Sequence, residues 1–195
     1  MRSQRHNPTR SRNGSGPLTK RPLASESVRP ALRPAPRHVL KTGAGRVRIS
    51  TIVAYLVDTN ILVYRFDGRF PEKQTVAREL LRKGLAKDVV RIPHQSLLEF
   101  VAVVTRVRVG SAFLLAPEEA RRETEELMIQ FPVLYPNAAL FRTTLQGAAA
   151  YRLSWFDAHL WAYAEHYGLD EIISEDFEHG RLYGSVRVRN PFRQS

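Results

Sequence analysis

Asp58, Glu99, Asp157 and Asp176 are the residues of this chain whose type and spacing could do chemistry together. Asp58 is the sharpest of them. The apolar run Ala54-Tyr55-Leu56-Val57 ends in Asp58-Thr59-Asn60 and passes at once into Ile61-Leu62-Val63-Tyr64, so a buried strand is driven into an acid and a helix opens behind it. Asp176 likewise follows the apolar pair Ile172-Ile173, with the Ser174 hydroxyl two residues before it, as Thr59 directly follows Asp58. Carboxylates that converge on one spot raise each other's pKa unless a cation neutralises them. Oxygen ligands alone, in a chain with no cysteine and no His pair at metal-binding spacing, select Mg²⁺ or Mn²⁺. Such an ion polarises a phosphoryl oxygen and acidifies a water for in-line attack, which makes phosphodiester hydrolysis the chemistry to expect. Asp58 is then the central ligand, Glu99 and Asp157 complete the site directly or through waters, and Asp176 holds a second ion or orients the nucleophile.

The elements that must position these acids alternate along the chain. Short apolar or β-branched runs predict strands near 54–58, 89–92, 131–134, 170–174 and 186–189, and periodic stretches predict helices near 59–66, 72–86, 95–108, 117–130, 137–151 and 154–167. Pro71-Glu72 and Pro117-Glu118-Glu119 place proline and acids in first turns, where the missing N–H and the helix dipole favour them. The alternation argues for an α/β fold with a mainly parallel sheet, in which ligands collect at the carboxyl ends of strands. Local explanations compete at each acid. Ser96-Leu97-Leu98-Glu99 and Ser154-Trp155-Phe156-Asp157 both read as capping boxes, Asp58 can open a helix, and Asp176 can sit in a turn. Trp155, Phe156, Trp161 and Tyr163 could form a base-stacking platform, yet the seven-residue spacing of Phe156 and Tyr163 favours the core for both.

At these residues the chain resembles the PIN-domain ribonucleases, most closely the VapC toxins of toxin–antitoxin pairs, over residues 53 to 192. Leu56-Val57-Asp58-Thr59-Asn60 is similar to the family's first motif, and Pro93 through Leu98-Glu99-Phe100 to the helix carrying its second acid. Phe156-Asp157-Ala158 with Leu160-Trp161-Ala162 resembles the third, and Ile173-Ser174-Glu175-Asp176-Phe177 the fourth, with Ser174 where threonine is commoner. Val188-Arg189-Asn190-Pro191-Phe192 resembles the family's closing strand. The resemblance implies a three-layer α/β/α domain with about five strands, in which Asp58, Glu99, Asp157 and Asp176 bind Mg²⁺ or Mn²⁺, supported by Thr59, Asn60 and Ser174. It implies endonucleolytic cleavage of RNA, usually tRNA or rRNA, a cognate VapB-like antitoxin and a homodimer. A PIN nuclease of RNA maturation, or a silent RNA- or partner-binding module, shares the same residues.

Composition bounds these readings. The chain has 195 residues and 43% hydrophobic content, enough for one well-buried domain, here 53–195. The absence of cysteine excludes disulfides and thiolate chemistry. No apolar run reaches the roughly 18 residues of a membrane span, and a cytoplasmic protein is expected. No Gly-x-x-x-x-Gly-Lys or Gly-x-Gly-x-x-Gly run is present. An aspartyl-nucleophile phosphatase wants a second Asp two residues beyond the first, where Asn60 stands. The net charge of +11 lies wholly in residues 1–50, which hold twelve Lys or Arg against Glu26 alone, together with six of the twelve prolines. Residues 1–52 are accordingly expected to be a disordered basic extension. It reads either as an arm gripping phosphates or as sequence upstream of a native start at Val53. The second is favoured, because the PIN-like pattern begins there and arginine outnumbers lysine 25 to 5, as in GC-rich coding sequence.

Overall fold

The structure, a computed structural model, describes residues 38–39, 49–50, 53–106 and 114–193. Most of the expected N-terminal extension therefore lies outside the described residues. Within it, the described residues are β1 (His38–Val39) and β2 (Ile49–Ser50), which pair antiparallel.

From Ala54 onward the alternation of strands and helices holds. The chain runs through β3 (Tyr55–Val57), α1 (Thr59–Tyr64), α2 (Pro71–Ala86), β4 (Val90–Pro93), α3 (His94–Val104) and α4 (Pro117–Gln130). It continues through β5 (Val133–Leu134), α5 (Ala138–Tyr151), α6 (Trp155–Tyr167), β6 (Glu171–Ile173), β7 (Leu182–Tyr183) and β8 (Val186–Arg189). Six of these strands form one sheet in the order β5-β4-β3-β6-β8-β7, parallel throughout except where β7 runs against β8. The sequence predicted five strands; β7 is the sixth. It escapes periodicity because it is two residues long. Its turn is nevertheless legible, since Gly184 sits at φ +64° ahead of Ser185, the conformation a two-residue hairpin demands of its first central residue.

Alternate residues of the central strands face opposite layers. Leu56, Ile172 and Val188 pack with Leu140, Leu160 and Tyr163 of α5 and α6 on one side. Val57, Ile92 and Ile173 pack with Ile61, Leu81, Phe100 and Leu127 of α1 to α4 on the other. The result is the three-layer α/β/α arrangement with helices on both faces of the sheet.

Close approach of α5 to α6 requires Gly147. A Cβ there would stand 2.2 Å from a Trp161 ring carbon, and that ring is pinned because its Nε1 donates to the Tyr183 carbonyl at 2.9 Å. Gly147→Ala should therefore destabilise the fold by about 1–3 kcal/mol, overpacking outweighing the gain in helix propensity of about 1 kcal/mol. Urea denaturation of the two proteins checks this; an unchanged or higher midpoint would show that Trp161 can yield.

Topology places the site. The chain leaves β3 toward β4 and β5, then returns to lay β6 and β8 on the opposite side of β3. The crevice at the carboxyl ends of β3 and β6 is thus a topological switch point.

Candidate active site

Asp58 directly follows β3 and is the N-cap of α1, its Oδ1 accepting from the Thr59 N–H at 2.6 Å. Its Oδ2 accepts from Ser174 Oγ at 2.5 Å and from Asn60 Nδ2 at 3.1 Å. The capping reading of Asp58 is thus correct, and it is compatible with a place in the cleft. Only 7% of the residue is exposed. Burial pushes its carboxyl up to about 7; hydrogen bonds from Ser174 and Thr59 oppose the rise, and the charges of Asp176 and Glu99 add to it.

Asp176 stands three residues beyond β6 on the neighbouring strand. Its backbone N–H donates to Ser174 Oγ at 3.1 Å, and its Oδ2 accepts from Asn60 Nδ2 at 3.2 Å. One Asn60 amide thus bridges Asp58 and Asp176, while Ser174 grips the first carboxylate and the backbone of the second. The adjacent Glu175 is anchored by Lys73 and by Tyr64, whose hydroxyl donates at 2.5 Å to its Oε1. Lys73 also lies 4.6 Å from the centre of the Tyr64 ring, so α1 and α2 jointly hold the loop that carries Asp176.

Glu99 projects from the second turn of α3. Here the capping reading fails: the helix begins at His94, immediately after the Pro93 that closes β4, so Ser96 lies inside it and turns toward the Val57 carbonyl. Glu99 Oε2 accepts from Thr59 Oγ1 at 2.7 Å, and Oε1 from Gln95 Nε2 at 2.8 Å. Gln95 was not singled out in the sequence. Its position four residues before Glu99, one helical turn away, is the signal that could have found it.

Asp157 is placed differently. Ser154 caps α6, its Oγ accepting from the Asp157 N–H at 3.2 Å and donating to Asp157 Oδ2 at 2.7 Å. The carboxylate is turned to its own helix start, as the capping reading expects, although the residue borders the same cleft as the other three acids.

Two adjoining hollows form that cleft, and both are lined by Asp58, Glu99, Val103 and Asp176. One extends to Tyr64, Arg69 and Phe70, the other to Gln95, Arg106, Phe156 and Asp157. Phe156 is not in the core; it is 69% exposed at the cleft wall, whereas Tyr163 is fully buried. Arg106 and Arg69, the latter paired with Asp67, reach the cleft, whereas Arg65 pairs with Glu123 and Arg181 with Glu178. A larger hollow beside Tyr55, Lys83 and Arg189 lies at the amino ends of β3 and β4, away from these acids.

Among the described residues no three acids or histidines are drawn tightly enough to enclose an ion, and none of the four acids makes an ion pair. Their partners are neutral donors: Ser174, Asn60, Thr59, Gln95 and Ser154. Asn60 Oδ1 and Gln95 Oε1 are buried acceptors with no hydrogen-bond partner. Carboxylates with neutral partners only, together with the two unpartnered amide oxygens, are oxygen donors of the chemical kind a hard divalent cation takes, although the acids as they stand are too far apart to enclose one.

A family model described as PIN domain matches residues 55–184. The fold is similar to a DNA-bound VapBC from Salmonella typhimurium (16% identity, TM-score 0.54, 71% of this chain and 98% of that one). It is similar also to a toxin–antitoxin complex from Klebsiella pneumoniae (18% identity, TM-score 0.54, 72% of this chain and 100% of that one). A third likeness is to VapBC2 from Rickettsia felis bound to promoter DNA (11% identity, TM-score 0.52, 70% and 98%). Among curated proteins none matches the sequence.

Proposed function

The chain belongs to the PIN-domain family, and from that premise we propose that it is a Mg²⁺- or Mn²⁺-dependent endoribonuclease acting as the toxin of a toxin–antitoxin pair. The observation that carries this reading is the union of Asp58, Glu99 and Asp176 in one cleft at the carboxyl ends of β3 and β6, held by neutral donors only. Asp58, Glu99 and Asp176 would hold the ion, and Asp157 would join them on turning away from Ser154. When bound, the ion supplies Lewis acidity that polarises the phosphoryl oxygen and acidifies the attacking water. The protein's own part is orientation. Ser174 and the Thr59 N–H fix both Asp58 oxygens, Thr59 and Gln95 fix both Glu99 oxygens, and Asn60 spaces Asp58 from Asp176. Such preorganisation avoids reorienting the ligands during the reaction.

Likeness to VapBC complexes supports a VapB-like antitoxin as partner, and the same reading takes in tRNA or rRNA as substrate and a homodimer. No helix among the described residues is long and apolar enough to cross a membrane.

The test is growth of cells induced for the wild type beside Asp58→Asn, with total RNA sequenced for new ends. Arrest with discrete cuts in tRNA or rRNA, absent from the variant, supports the toxin nuclease. Normal growth with intact RNA from soluble wild-type protein removes it.

Asp157→Ala separates ligand from cap. Ser154 Oγ keeps its bond from the N–H of residue 157, so the stability loss should stay below about 1 kcal/mol, while cleavage should fall at least tenfold. Rates and denaturation curves of the same preparations check this. A large stability loss with full activity per folded molecule would return Asp157 to a purely capping role.

A further inference from the structure

We infer that the two hollows seat the nucleotides on either side of the scissile phosphate, with the two flanking bases stacked on Phe70 and Phe156; this rests on the nuclease reading above. The hollows share Asp58, Glu99 and Asp176, and the lining of each adds one exposed phenylalanine and one arginine that the other lacks: Phe70 with Arg69, Phe156 with Arg106. Lone exposed apolar residues are ordinary on protein surfaces. An aromatic ring and a guanidinium on both flanks of a carboxylate cleft match the chemistry of a nucleotide, whose base offers a π face and whose phosphate offers a negative charge.

Both rings are held on fixed backbone. Phe70 is 45% exposed and ends a turn in which the Asp67 carbonyl accepts its N–H at 3.2 Å; its ring meets that of Tyr64 edge-on at 5.6 Å, and Arg69 and Lys73 lie over it at 5.8 and 5.6 Å from its centre, cations that a stacked nucleotide would displace or share. Arg69 is steadied by two bonds to Asp67, at 2.7 and 2.6 Å, and guanidinium donors remain for a phosphate. Phe156 is tied at its carbonyl to Gln95 Nε2 at 3.2 Å, so the same Gln95 that orients Glu99 also sets the second wall. Bases inside an A-form duplex present no free face to such walls. Unpaired nucleotides do.

The test measures binding of a fluorescein-labelled, mixed-sequence RNA octamer, and of its blunt duplex, to the full chain with Ca²⁺ as divalent ion. Wild type, Phe70→Ala, Phe156→Ala and Phe156→Trp are compared, with thermal melting to confirm folding and Mn²⁺ calorimetry run in parallel. Expected results are single-strand binding at least tenfold tighter than duplex, a roughly five- to hundredfold loss for each alanine variant, recovery with Phe156→Trp, and unchanged Mn²⁺ heat. Alanine variants that bind RNA as wild type does, with Mn²⁺ binding intact, overturn the subsites, leave the nuclease reading standing and point to a protein segment on the rings. Equal affinity for duplex and single strand also overturns the inference. A wild type that binds neither Mn²⁺ nor RNA removes both readings together.

Discussion

Asp58→Asn should lower metal-dependent RNA cleavage by about a thousandfold or more, a loss of about 4 kcal/mol in transition-state stabilisation that the removal of a central anionic ligand can supply. The substitution is nearly isosteric. Asparagine remains a good N-cap, so its side-chain oxygen can still accept from the Thr59 N–H and α1 keeps its start, while its amide nitrogen, in place of Oδ2, can no longer accept from Ser174 and would have to donate to it. What disappears is the charge. Glu99 and Asp176 then remain without the carboxylate between them, and the heat of Mn²⁺ binding should fall with the rate. Steady-state cleavage of the RNA identified in cells, paired with Mn²⁺ titration of the same samples, makes the comparison. Retention of more than a tenth of the wild-type rate would mean that Asp58 serves as a cap and that the ion, if any, sits elsewhere.

The part of the site carried by strand ends was the part most legible in the sequence. An apolar run that stops at an acid leaves little freedom: β3 delivers Asp58 to the sheet's carboxyl edge, and β6 delivers Ser174 and Asp176 beside it. Helix-borne residues were harder, because a four-residue window cannot fix where a helix begins. Pro93 ends β4 and α3 starts at the very next residue, which moved Ser96 from the cap into the helix and released Glu99 for the cleft. At Ser154 the same pattern does mark the helix start, and Asp157 faces it. Identical local signals therefore gave opposite outcomes, decided by the element in front of each. Phe156 shows a related limit. Its seven-residue relation to Tyr163 is real, but Phe156 lies in the first turn of α6, at the cleft, where it stays 69% exposed. Contacts between elements remote in sequence, such as Tyr64 and Lys73 on Glu175, leave no trace in spacing at all.

In the metal-free protein, Asp58→Asn should be stabilising at pH 8 and without effect at pH 4. The folded-state pKa of Asp58 is pushed up to about 7 by burial, with the neighbouring acids adding to it, while in the unfolded chain the group titrates near the ordinary value of about 3.9. Between those two values the unfolded chain has released a proton that the folded protein still binds. Stability therefore falls as pH rises through this window and levels off above about 7, for a total of up to about 4 kcal/mol. Asparagine has no such titration, so the difference between variant and wild type should grow from near zero at pH 4 to about 2–4 kcal/mol at pH 8 in EDTA. Other carboxylates titrate in both proteins and cancel. Saturating Mn²⁺ should then reverse the order at pH 8, because a ligand that binds the folded state alone stabilises it and only the wild type keeps the anionic Asp58. Urea denaturation across this pH range, with EDTA and with Mn²⁺, tests both halves. Superimposable pH profiles in EDTA would show that Asp58 is ionised and already compensated in the free protein, and the electrostatic case for a cation in this cleft would fall with them.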